Sequence, residues 1–310
     1  MRGPRQHPWR LFLLPLLALL TACAALPSPQ ERHQQANALA AAHQWHETTL
    51  VTPPFRLKSY GPPPHPPAEI LSVYIEGDGL AWLTPTLPST DPTPRHPLAL
   101  QLALAQAEGR AAYLARPCQY QEGKREDNGE GRQDANLDAK QEMPLPPCPQ
   151  RYWTGSRFAP EVIDAMDNAV SQLKQRHGAS ALVLVGYSGG GSVAALLAMR
   201  RTDVIRLVTV AGNLDHQAWA EHHRLTPLAA SLNPADEAIR KPSRISGLPQ
   251  THWVGSQDRV IPPALARRWP AAFIGANGGQ LEIIPEATHG DGWLIPWQRR
   301  GMPLDPPAPP

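Results

Sequence analysis

Apolar residues in this chain follow two alternating periods. Thr48-Thr49-Leu50-Val51-Thr52 and 55–60 alternate apolar with polar residues on either side of Pro53-Pro54, the pattern of two antiparallel strands. Continuous apolar runs then follow at 69–76, 110–116, 181–185, 205–211, 251–255 and 280–284, each too short for a helix and rich in β-formers. Between them lie helical segments. Leu98 to Ala107 is amphipathic, and in 160–177 Val162, Ile163, Met166, Ala169, Val170 and Leu173 fall three and four apart. Strands buried on both faces and separated by helices predict an α/β fold with a mostly parallel sheet flanked by helices.

The sharpest junction is at 181–198, where Ala181-Leu182-Val183-Leu184-Val185 meets Gly186-Tyr187-Ser188-Gly189-Gly190 and passes directly into an alanine- and leucine-rich helix former. Gly186 and Gly190 permit a turn tight enough to project the Ser188 hydroxyl from the sheet edge. This strand, G-x-S-x-G turn and helix resemble the nucleophile elbow of the α/β-hydrolases. A serine hydroxyl needs a base and an acid behind it, and in that fold both follow the serine at strand ends, acid first. Asp258, in Gly255-Ser256-Gln257-Asp258-Arg259-Val260-Ile261-Pro262, and His289, in Ala287-Thr288-His289-Gly290-Asp291, occupy those places. Asp291 competes for the acid role but is expected to cap the segment running into Trp293 and Trp297. The oxyanion hole is expected from the Gly189 amide and an amide of the loop Gly77, Asp78, Gly79, Leu80, where Glu76-Gly77-Asp78-Gly79 stands in place of the family's His-Gly pair. That loop and Arg151-Tyr152-Trp153-Thr154 resemble a group of uncharacterised bacterial α/β-hydrolase lipoproteins. The resemblance covers 70–297 and implies no established substrate.

At the N-terminus, Arg2, Arg5 and Arg10 precede the ten apolar residues 11–20, too few to span a bilayer as a stable helix, and read as an export signal. Leu20-Thr21-Ala22-Cys23 resembles a lipobox. It implies a signal peptide at 1–22, a lipid-bearing Cys23, a tether to 47 and a place in the cell envelope. Ala24 after the cysteine points to the outer membrane, facing the periplasm. The hydrolase domain is expected at 48–300, with an insert at 117–151, a cap position at 212–247 and a proline-rich tail at 301–310. Gln121 to Glu142 is charged and nearly devoid of apolar residues, so the insert cannot make its own core. Once Cys23 is acylated, Cys118 and Cys148 are the remaining thiols in an oxidising compartment and are expected to pair.

Composition narrows the partners. The chain of 310 residues carries a formal charge of +2; without the three leader arginines, 26 basic residues face 27 acidic ones, a net −1. That supports neither nucleic-acid binding nor an anionic-surface patch. No nucleotide motif occurs and no cofactor is expected. His216, His222 and His223 read as loop histidines rather than metal ligands. The expectation is a serine hydrolase cleaving a small-molecule or envelope ester or amide, attached to the membrane through its lipid. An acyltransferase using the same three residues, or a non-catalytic envelope binding lipoprotein, are the alternatives.

Overall fold

The computed structural model describes residues 26–64, 66–121, 148–269 and 279–300. The leader with Cys23, the middle of the insert and the 301–310 tail lie outside them. The strands are β1 (His46–Thr52), β2 (Phe55–Gly61), β3 (Ile70–Ile75), β4 (Trp82–Thr84), β5 (Leu87–Pro88), β6 (Arg110–Leu114), β7 (Ala181–Tyr187), β8 (Val204–Val210), β9 (Gln250–Gly255) and β10 (Gln280–Ile284). The helices are α1 (Pro29–Ala42), α2 (Leu98–Leu104), α3 (Pro160–Arg176), α4 (Gly189–Ala198), α5 (His216–His223), α6 (Pro234–Arg240), α7 (Pro263–Ala266) and α8 (Leu294–Arg300).

Eight strands form one sheet in the order β1-β2-β6-β3-β7-β8-β9-β10, parallel from β6 onward, with β1 and β2 antiparallel at its edge. The pleat sends alternate side chains to opposite faces. Leu71, Val73, Leu182 and Leu184 join the core under α3 and α4, whereas Tyr74, Val183 and Val185 join the core with α1, α2, Trp293 and Trp297. Register then places the chemistry. Ile75 pairs with Gly186, so the loops leaving β3 and β7 emerge side by side, and the loops after β9 and β10 open on the same edge. Ligands of open α/β sheets bind at these carboxyl ends.

Residues 29–42, in the segment expected as tether, form a helix held on the body. Ser28 and Glu31 make a reciprocal capping box, Pro29 opens the first turn, and Arg32, Ala36 and Ala40 are buried. In the 212–247 segment, the expected cap position, Leu228, Ala238 and Ile245 enter the same core as α3 and α4. Residues 82–88 make the β4–β5 hairpin, with Trp82, Leu83 and Leu87 exposed. Among the described residues no helix is long and apolar enough to cross a membrane.

Candidate active site

Ser188 sits between β7 and α4 with φ 51° and ψ −120°, a strained conformation for a residue with a Cβ. The surroundings hold it there. Its amide donates to Val210 O, and its carbonyl accepts from Gly191 N and Asn213 N. A side chain at Gly186 or Gly190 would strike backbone of the adjoining turn or of β3, so the tight approach needs glycine at both positions. The half-buried hydroxyl lies 2.9 Å from His289 Nε2, and Asp258 Oδ2 lies 2.9 Å from His289 Nδ1. Asp258 is buried, and its other oxygen accepts from the amides of Val260 and Ile261 at 2.8 Å each. The loop after β9 therefore fixes the carboxylate, which in turn fixes the imidazole. His289 is also held from behind: its carbonyl accepts from the Tyr187 hydroxyl at 3.1 Å and from Trp293 Nε1 at 3.2 Å.

Asp291 does not share this arrangement. Its backbone closes the 288–291 turn with Thr288, and its carboxylate accepts from no helix amide among the described residues. The expected helix cap is thus replaced by a turn that presents His289.

The oxyanion loop is narrower than its sequence suggests. The Gly77 amide is occupied by Glu76 Oε1 at 2.9 Å and the Leu80 amide by Pro92 O at 3.1 Å, so neither can receive an oxyanion. The amides of Asp78 and Gly79 have no such partner among the described residues, and the Asp78 carboxylate lies against Gly189, the first residue of α4. The loop shares a cavity of about 510 Å³ with Ser188 and His289. Gly79 adopts φ +63°, and a side chain there would meet Pro92, which explains the glycine.

No protein-family profile and no curated protein sequence matches the chain. Among solved structures, a mutant puromycin hydrolase complexed with PGG is similar with a TM-score of 0.50 and 16% identity, over 83% of this chain and 37% of that one. An α/β serine hydrolase homologue from Coxiella burnetii has a TM-score of 0.48 and 13% identity over 82% of this chain and 94% of that one. Est1E from Butyrivibrio proteoclasticus has 0.49 and 13% over 82% and 95%. The chain has the α/β-hydrolase fold.

Within this hydrolase fold, the site contains charged groups that sequence reasoning missed. Asp78 is clamped by Arg157 Nη1 at 2.5 Å and Arg116 Nη1 at 3.4 Å. Burial pushes its carboxyl up, but the two guanidinium groups outweigh burial and hold it below the usual aspartate value. Burial lowers Arg116 to about 10 against the opposing pull of Asp78. Glu76 is buried behind the loop, and burial pushes its carboxyl up to about 7 even though the Gly77 amide stabilises the charged form. Gln119 Nε2 donates to Gly77 O at 2.9 Å, tying the same loop to the segment after β6. A disulfide joins Cys118 to Cys148. From 212–247, only Trp219 lines the cavity among the described residues. His216 stacks on Phe158, away from His222 and His223, whose rings meet edge to face while His223 bonds to Val260 O. Among the described residues no group of three or more His, Cys, Asp or Glu is placed to hold a metal ion. Arg116 and Arg157 carried no signal in the sequence beyond following a strand end and the Arg-Tyr-Trp-Thr segment.

Proposed function

We propose that the protein is a serine hydrolase that cleaves an ester or amide through an acyl-enzyme. The unbroken hydrogen-bonded chain from Ser188 through His289 to Asp258 supports this reading. His289 Nε2 removes the Ser188 proton as the hydroxyl oxygen attacks the substrate carbonyl carbon, and the carbonyl π electrons move onto its oxygen. The Gly189 amide, with an amide from Asp78 or Gly79, receives that negative charge at the positive end of α4. Collapse expels the alcohol or amine, which takes the proton from His289. Water, activated by the same imidazole, then releases the acid and regenerates Ser188. Asp258 keeps the neutral ring protonated at Nδ1 and stabilises the imidazolium.

A fluorophosphonate should label Ser188 alone, with Ser188→Ala losing both the label and turnover of nitrophenyl esters. An adduct on another serine, or full turnover in the alanine variant, overturns the assignment. The lipobox-like Leu20-Thr21-Ala22-Cys23 supports placing this activity in the cell envelope on an acylated Cys23, probed by the intact mass of membrane-extracted protein.

A further inference from the structure

The proposed reaction leaves one group in the cavity without a task. Arg157 is 5% exposed and lines the cavity together with Ser188 and His289. Its Nε donates to Thr154 O at 2.7 Å and its Nη1 to the Asp78 carboxylate, while its backbone carbonyl is held by Arg116 Nη2. Nη2 has no acceptor among the described residues, yet it is not among the buried atoms left unpaired. It therefore keeps a small exposed surface, on a side chain otherwise locked in place.

Two guanidinium groups, Arg116 and Arg157, share the single carboxylate of Asp78. Of the other acidic groups lining the cavity, Glu76 is bonded to the Gly77 amide and Asp291 lies in the exposed turn after His289. Arg95 and His96 add basic groups to the lining. A neutral ligand that displaces the water on Nη2 leaves a buried charged donor unmatched, whereas an anionic one restores the bond in its stronger, charge-assisted form. A fixed guanidinium with a spare donor suits a carboxylate. Elsewhere the lining is apolar, with Leu80, Ala81, Trp82, Pro94, Leu98 and Trp219.

Arg157 is tied to the Gly189 side of the site. The Asp78 carboxylate that it holds lies against Gly189, so close that a methyl on Gly189 would collide with it. Arg157 is thus attached to the loop that receives the carbonyl oxygen, while the leaving group is served by His289. We infer that Arg157 anchors a carboxylate carried on the acyl half of the substrate, so that this protein prefers monoesters of dicarboxylic acids to neutral esters of similar length. The inference rests on the proposed serine hydrolase reading.

The probes are monoethyl glutarate and ethyl pentanoate, which have acyl chains of equal carbon number, with hydrolysis followed by titration of released acid. Wild-type kcat/KM should favour the glutarate monoester tenfold to a hundredfold. Arg157→Gln should abolish that preference chiefly through KM, with a smaller loss on the pentanoate because Asp78 is also freed, and Arg157→Lys should restore part of it. Equal rates on both esters in the wild type, or a preference that survives in folded Arg157→Gln, overturns the inference. Calorimetry on Ser188→Ala protein separates it from the catalytic reading: saturable binding of monoethyl glutarate should be lost on adding Arg157→Gln. Binding through Arg157 without hydrolysis of either ester would overturn the reaction and keep the subsite. Hydrolysis of both without preference would do the reverse.

Discussion

Two aspartates lie close to His289 in the chain or in space, and their geometry separates them. Asp258 contacts Nδ1 with one oxygen while its other oxygen is held by two amides, so it cannot rotate away. Asp258→Asn should favour the wrong tautomer and cut kcat by a factor on the order of 10⁴ with the fold intact. Asp291→Asn, in an exposed turn closed by backbone, should stay within about tenfold. Steady-state kinetics of both folded variants on one nitrophenyl ester checks the ranking. Glu76 makes a different prediction. Its carboxyl is raised in the folded state, so its contribution to stability is full below the ordinary glutamate value of 4.5 and is lost as pH rises through about 7. Relative to Glu76→Gln, the wild type should lose on the order of 3 kcal/mol across that window in denaturant titrations. A pH-independent difference would contradict this. Ser188, Asp258 and His289 were legible as a group because each follows a strand in a fixed order, and the structure brings the three into one hydrogen-bonded chain. The Asp78–Arg157 pair was not, since its members are 79 residues apart and neither lies in a periodic pattern.

At the scale of elements, apolar periodicity revealed those that bury a wide stripe and missed those that do not. The strands from β6 to β10 and the helix α3 were legible, the latter because seven of its residues are buried along one face. In α1 the buried face is only Arg32, Ala36 and Ala40, too weakly apolar to predict docking, although Ser28-Pro29-Gln30-Glu31 is itself a helix-start signature. What fixes α1 is polar. Arg32 bonds to Thr93 O and pairs with Asp91, and Asn37 accepts from the Tyr60 hydroxyl. The 89–96 loop that Arg32 grips also supplies Pro94 and Arg95 to the cavity wall. Arg32→Ala should therefore destabilise the protein by about 2–4 kcal/mol, because it leaves Asp91 and the loop carbonyl without their partner. It should also raise KM through the slackened wall. Thermal melts and steady-state kinetics on the same preparation test both, and an unchanged melting temperature would show that α1 is only laid against the body. The β4–β5 hairpin escaped prediction for a related reason: all three residues of β4 are exposed, so no alternation marks it.

Across the whole molecule, one covalent link connects the insert to the chemistry. Composition showed that the charged 121–142 stretch cannot make its own core, and the pairing of Cys118 with Cys148 was expected from the count of thiols. What the pairing supports could not be read, because it depends on which residues flank the two cysteines in space. Cys118 lies between Arg116, which grips Asp78, and Gln119, which holds Gly77 O, and both Cys118 and Tyr120 adopt positive φ, at 73° and 56°. These conformations are costly for residues with a side chain and persist only where the surroundings impose them. On the other side, Cys148 leads through Trp153, which donates to Ser89 O, to Arg157. The disulfide thus ties together the two segments that hold the 76–80 loop beside Ser188. Closing about 31 residues stabilises by roughly 3.5 to 4 kcal/mol in the chain-entropy model, so a Cys118→Ser, Cys148→Ser protein should unfold at lower denaturant by about that amount. If the link also positions the Asp78 and Gly79 amides, kcat on a neutral ester should fall about tenfold under conditions where the variant is still fully folded, and fluorophosphonate labelling of Ser188 should slow in parallel. A variant with lowered stability but unchanged kcat and labelling rate would confine the disulfide to fastening the insert. Stopped-time labelling at 25 °C, where the variant is shown by circular dichroism to be fully folded, distinguishes the two because both readouts then report the chemistry of Ser188 and not the loss of folded protein.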